Sequence, residues 1–263
     1  MSLARATSLS ALRARLSAYE PALRAERAFR FGDTRVDGCF LAGGLPLGCW
    51  HELTGEGIEA DLATATAGFA AKLAARLGEA GQAVWILRRD DLYAPGVAEL
   101  GLRPERLIMV RTVSEAETLA AVEDALRTRG VSVVMAEAEA VDLTAGRRLQ
   151  LACERGGATA LILRRRLYGK PSRARERAEP AVAASRWRIG PAPSEPVNSM
   201  PGLGAPRWTV ELERARGGRG GKWIMEANWE AQNGAVPFRV VTELADHAFP
   251  AQLPERDFRR AAG

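Results

Sequence analysis

The sequence predicts an α/β fold, a mostly parallel sheet flanked by helices, and three observations carry that reading. Short continuous apolar runs recur at "AVWIL" (83–87), "LIMV" (107–110), "VSVVMA" (131–136) and "ATALIL" (158–163). Helical patterns separate them, and strands buried on both faces with helices between belong to parallel sheets. Beyond residue 207, strand-like runs follow one another without an intervening helix, which adds antiparallel C-terminal strands.

The elements follow in order. Leu9, Leu12, Leu16, Tyr19 and Leu23 recur at helical spacing, so residues 8–29 predict a helical N-terminal arm, set off as 1–30. Pro21 predicts a kink or two short helices there. This stripe either packs on the chain's own core or docks on a partner or a neighbouring subunit. "WHEL" leads into a helix with Leu62, Thr66, Phe69, Leu73 and Leu77 on one face. Ser114 and Glu117 form a capping box opening a helix with Leu119, Val122 and Leu126 inside, and another helix runs near Thr144–Glu154. The main domain spans 31–246, with a basic loop at 164–180 and a Pro/Gly loop at 191–206; residues 247–263 form a tail. "RWTVELERA" (207–215), "KWIMEANWE" (222–230) and "PFRVVTEL" (237–244) read as strands, the first two joined by "RGGRGG". Trp208, Trp223 and Trp229 face either the core or a partner.

Composition narrows the function. At 263 residues and 47% hydrophobic, the chain is long enough to bury a real core and is not a disordered protein. The net charge is +5, and all but three of the basic residues are arginine, a side chain suited to bidentate phosphate contacts. Three scattered cysteines and two histidines argue against a disulfide framework and a metal site. No segment is apolar enough to span a bilayer, so a cytoplasmic location is expected.

The stretch "GGLPLGCWHELTGEGIEADLATATAG" approaches the form of a phosphate-binding loop but lacks its lysine. Such a loop needs glycines for backbone wrapping, a lysine for the terminal phosphates and a hydroxyl for Mg²⁺. A frame starting at Gly55 puts Ala60, Asp61 and Leu62 at the Gly, Lys and Ser/Thr positions; one starting at Gly57 puts Leu62, Ala63 and Thr64 there. Glu56, Glu59 and Asp61 would repel a triphosphate while favouring a helix N-terminus. Glu137 stands at a strand end where a Mg²⁺-supporting aspartate would sit, and reads either as a solvated acid or as a functional substitute for that aspartate. Arg88 and Arg89 replace a water-activating glutamate, and Asp90 and Asp91 read as a loop or helix cap. A nucleotide-hydrolysing enzyme is therefore not expected, and no cofactor is called for.

"VDGCFLAGGLPLGCWHELTG" (36–55) resembles the segment leading into the nucleotide loop of RecA-type recombinases, and the order of elements after it is similar. With His51-Glu52, the missing lysine and the ending "SRWRIG…RWTVELERARGGRGGKW", residues 30–245 are most similar to the ImuA family, RecA-like and SulA-related. That resemblance implies a RecA-like fold and a non-catalytic role in DNA-damage-induced (SOS) mutagenesis. The implied partners are the Y-family polymerase homologue ImuB and an error-prone polymerase in translesion synthesis, with RecA, DNA and self-association as further expectations. RecA-like proteins carry a DNA-binding loop after the fifth strand. The matching residues here are Arg164, Arg165, Arg166, Tyr168, Lys170, Arg173, Arg175 and Arg177, whose alternative reading is a solvated basic loop. Two other functions share the fold: a SulA-like cell-division inhibitor and an ATP-binding recombination enzyme.

Overall fold

The computed structural model describes residues 27–55, 59–165, 182–195, 204–228 and 236–244, with the backbone alone for 59–63. Eleven strands and five α-helices occur among them. In chain order these are β1 (Ala28–Phe29), α1 (Thr34–Asp37), β2 (Leu45–Pro46), β3 (Trp50–Gly55), α2 (Glu59–Leu77) and β4 (Gln82–Leu87). Then come α3 (Ala94–Glu99), β5 (Leu107–Arg111), α4 (Glu115–Arg127), β6 (Val131–Ala138), α5 (Leu143–Gly156) and β7 (Thr159–Arg164). The last four are β8 (Ser185–Ala192), β9 (Arg207–Ala215), β10 (Gly221–Ala227) and β11 (Phe238–Glu243).

Nine strands form one sheet in the order β11-β10-β9-β8-β3-β7-β6-β4-β5. The run from β8 to β5 is parallel throughout, and β9, β10 and β11 add to it antiparallel. The α/β class, the mostly parallel sheet and the antiparallel C-terminal strands thus stand as the sequence predicts. The N-terminal stripe Leu9, Leu12, Leu16, Tyr19 and Leu23 lies outside the described residues. At its end the helix expected to reach residue 29 has given way to a strand, since Ala28–Phe29 pairs with Leu45–Pro46.

Two apolar layers sandwich the sheet. On one face α2 lays Phe69, Leu73 and Leu77 over β3, β8 and β6, as the helical spacing predicts. There Trp187 is ringed by Phe31, Phe40 and Phe69 at centroid distances of 5.8, 5.8 and 6.3 Å. Phe69 stacks on Phe238 at 4.7 Å, and Trp208 meets it edge-on at 6.0 Å. Trp208 and Trp223 are both core residues, whereas Trp229 lies outside the described residues. On the other face α4 and α5 bring Val122, Leu126, Leu149 and Cys153 onto Trp50, Ile86, Val134 and Ile162.

Local chemistry fixes the helix ends. The Ser114 side chain accepts from the Glu117 N–H, and Glu117 reaches back to the Val113 N–H rather than to that of Ser114. Asp142 caps α5 in the same manner, and Gly157 ends it in the left-handed conformation (φ 75°) with its N–H on the Cys153 carbonyl.

The strand that sequence reading passed over is β8. Arg186 and Arg188 alternate along it and Gly190-Pro191 follows, a pattern that reads as coil. Tertiary pairing overrides this: β8 runs parallel to β3 and antiparallel to β9, and so joins the two halves of the sheet.

Candidate functional site

Ligands of open α/β sheets bind beyond the carboxyl ends of the parallel strands, and here that edge is dense with charge. Set back from that edge, midway along β3, Glu52 is 3% exposed and accepts from Arg164 Nη1 at 2.7 Å and from Arg186 Nε at 2.9 Å. Arg186 is its register partner on β8. Arg214, opposite Arg186 on β9, donates to the Ala183 carbonyl. Burial, together with the guanidiniums of Arg186 and Arg216, pulls Arg214 below the ordinary arginine range.

A second cluster follows β6 and β7. Arg165 Nη1 donates to Glu137 Oε1 at 2.6 Å, and its Nη2 donates to Asp91 Oδ2 at 2.8 Å. Burial pushes the Glu137 carboxyl up against the pull of Arg165. Asp91, more open, is held below the usual range by its hydrogen bond to the same guanidinium. A third cluster follows β4, where Arg88 Nη1 bridges Glu115 at 2.9 Å and Glu139 at 3.1 Å. Glu115 also accepts from the Glu139 N–H at 2.8 Å.

These pairs correct two expectations and settle a third. Glu137 is buried, not a solvated acid. Asp90 and Asp91 lie in the loop between β4 and α3, the first of the two readings the sequence allowed, where Asp91 pairs with Arg165 and Asp90 with Arg111; Tyr93 stands at the N-cap of α3. Arg164 belongs to β7 and Arg165 directly follows it, so both guanidiniums turn into the fold rather than into a loop. Arg166, Tyr168, Lys170, Arg173, Arg175 and Arg177 lie outside the described residues.

Gly55 ends β3 and α2 begins at Glu59, one residue ahead of the first frame's second-glycine position, so Ala60, Asp61 and Leu62 are already helical; Gly57 lies outside the described residues. Lys72 is the one lysine on α2, but at 1.5 Å per residue it sits about 20 Å along the axis from Glu59, and its burial lowers its pKa. A half-open cavity of about 340 Å³ lies beside this edge, with Thr64, Leu92, Tyr93, Val97, Glu137 and Arg165 among its lining residues.

The "GGLPLG" turn serves the strand behind it. Gly48 takes φ 66° and donates its N–H to Thr159 Oγ1. Pro46 presents its carbonyl to His51 Nε2 at 2.9 Å, while His51 Nδ1 meets Ser185 Oγ at 2.7 Å. Trp187 Nε1 donates to that same hydroxyl. The chain of bonds closes when Nε2 carries the proton and the serine hydroxyl donates to Nδ1.

Protein ImuA of Caulobacter vibrioides (strain NA1000 / CB15N) is 53% identical to this chain over 231 residues, covering 87% of this chain and 94% of that protein. The protein of the same name from strain ATCC 19089 / CIP 103742 / CB 15 matches to the same extent. The chain belongs to the ImuA family. A crystal structure of SulA from Pseudomonas aeruginosa is similar at 23% identity and a TM-score of 0.39, covering 44% of this chain and 98% of that one, too loose a likeness to argue from. No family model matches.

In this ImuA-family chain the three cysteines are buried, and burial raises each thiol pKa. Among the described residues no group of three His, Cys, Asp or Glu side chains is placed to hold a metal ion, and no helix is long and apolar enough to cross a membrane.

Burial holds His51 neutral, with its pKa down at about 4 from 6.5. A depressed pKa means that the unfolded chain takes up the proton first. The contribution is therefore complete above pH 6.5 and drains away as pH falls towards 4. Wild type is expected to lose roughly 2–3 kcal/mol between pH 7 and pH 4.5 through this residue. Urea melts of wild type and His51→Gln check this: the difference between the two should shrink by that amount on acidification.

Proposed function

We propose that this chain is a non-catalytic accessory factor of DNA-damage-induced mutagenesis, acting with the Y-family polymerase homologue ImuB and an error-prone polymerase in translesion synthesis. Membership of the ImuA family supports the setting. The absence of catalysis is argued from one observation: the strand-end acid Glu137 is held by Arg165. A guanidinium stands where a magnesium ion would have to meet that carboxylate. Arg88 holds Glu115 and Glu139 in the same way after β4. The RecA type of the sheet is part of the same reading, supported by parallel strands with a long helix following the central β3.

Two experiments test it. Fluorescent ATP analogue with magnesium is expected to show no saturable binding; saturable binding abolished by Arg165→Ala or by Gly55→Trp would return the enzyme reading. Purified ImuB is expected to be retained by the tagged chain, and failure of the two to associate would remove the proposed complex.

DNA contact through the basic loop is a second reading, favoured by the arginine-rich composition of 166–180. With Arg164 and Arg165 committed inside the fold, Arg166, Lys170, Arg173, Arg175 and Arg177 remain. If all five meet phosphates of single-stranded DNA, log K against log salt should have a slope of about −3.5. Salt-independent binding would remove the loop from the interface.

A further inference from the structure

The sheet ends at β5, whose outer edge has no strand neighbour among the described residues. Native edge strands are blunted by lysine, proline, a bulge or a cover, because their unpaired N–H and C=O groups otherwise recruit another strand. Of the five residues Leu107-Ile108-Met109-Val110-Arg111 only the last is charged, and it pairs with Asp90; none is lysine or proline, and their register with β4 runs without a bulge. Among the described residues nothing covers them either: Ile108 is 47% and Met109 52% exposed, one on each face of the sheet. The neighbouring β4 is buried from Ala83 to Leu87. The boundary of the core thus falls within the sheet, one strand short of its edge.

We propose that β5 is a self-association edge, pairing antiparallel with β5 of a second copy of this chain. An open row of backbone groups selects an extended strand as its occupant. The side chains narrow the choice further. A mate that alternates polar and apolar would set a polar row against either Ile108 or Met109, so the fitting strand is apolar on both faces. β5 itself is such a strand.

Register follows from the pleat. In a continuous sheet directly opposed residues share a face, so Leu107, Met109 and Arg111 must meet one another, as must Ile108 and Val110. Centring the two-fold on Met109 uses the whole strand: Met109 meets its own copy, Ile108 meets Val110, and Leu107 meets Arg111. Two five-residue strands bury less than the roughly 1,600 Å² of a standard stable interface, so the dimer dissociates on dilution.

Sedimentation velocity of the full chain, from about 1 to 100 µM, a span that brackets weak association, is expected to show a reversible monomer–dimer shift. Met109→Lys should remain monomeric throughout with an unchanged thermal melt, since position 109 is exposed. Cross-linking then reads the register. Under mild oxidation Met109→Cys should form a disulfide dimer at least tenfold faster than Ile108→Cys, because position 109 meets itself and position 108 does not. The native cysteines are buried and add no background. A wild type that stays monomeric at the top concentration would overturn the proposal and leave the edge to a different strand. A dimer that survives Met109→Lys, or equal cross-linking of the two cysteine variants, would overturn it as well.

Discussion

Glu52→Gln is expected to lower the free energy of unfolding by about 3–5 kcal/mol, the range for breaking a buried ion pair from one side. Arg164 and Arg186 both point at this carboxylate, and Arg214 stands beside them. Neutralising it leaves several guanidiniums in a place where water screens poorly and their mutual repulsion is no longer offset. The effect should be specific to burial. Glu79→Gln removes the partner of Arg76 on the surface, where Glu79 is 53% exposed, and should cost less than about 1 kcal/mol. Urea denaturation followed by tryptophan emission measures both. If the two variants lose the same small amount, solvent reaches the Glu52 cluster and its burial has no energetic weight.

Trp187→Ala is expected to cost a similar 3–5 kcal/mol or so, the range for removing a large buried aromatic. Trp187 is 1% exposed and sits where Phe31, Phe40 and Phe69 converge, so removing its indole leaves a cavity in a close-packed aromatic cluster. Trp187→Phe separates packing from polarity. It keeps a ring but removes the N–H that Ser185 accepts, and should cost about 1–2 kcal/mol beyond the change in volume. Thermal melts with a calibrated unfolding enthalpy distinguish the two variants. An alanine variant as stable as the phenylalanine one would show that the aromatic cluster is not what holds β8 to α2.

The parallel strands were legible because their signal is local. A run such as "AVWIL" is apolar on both faces, and that alone calls for a strand covered on both sides. Helix α4 was legible for the same reason, from Ser114 and Glu117 before an apolar stripe. β8 was hidden because its arginines are acceptable in a strand only where carboxylates meet them. Glu52 lies 134 residues from Arg186, and Glu213 lies 25 from Arg188. The missing phosphate-loop lysine was visible in the sequence, whereas the arginine standing in for a cation at Glu137 was not. Arg165 looked like the start of a basic loop until β6 and β7 came side by side, in a register that pairs Glu137 with Leu163 and Ala138 with Arg164.

The class of fold, most of the strand and helix positions, and the loss of the phosphate-loop side chains follow from the order of residues alone, because each depends on residues a few positions apart. Which charges are folded inward and which strand edge is left open follows only from the assembled sheet. Ion pairing and edge exposure are set by neighbours far away along the chain, and no local pattern of residues encodes them.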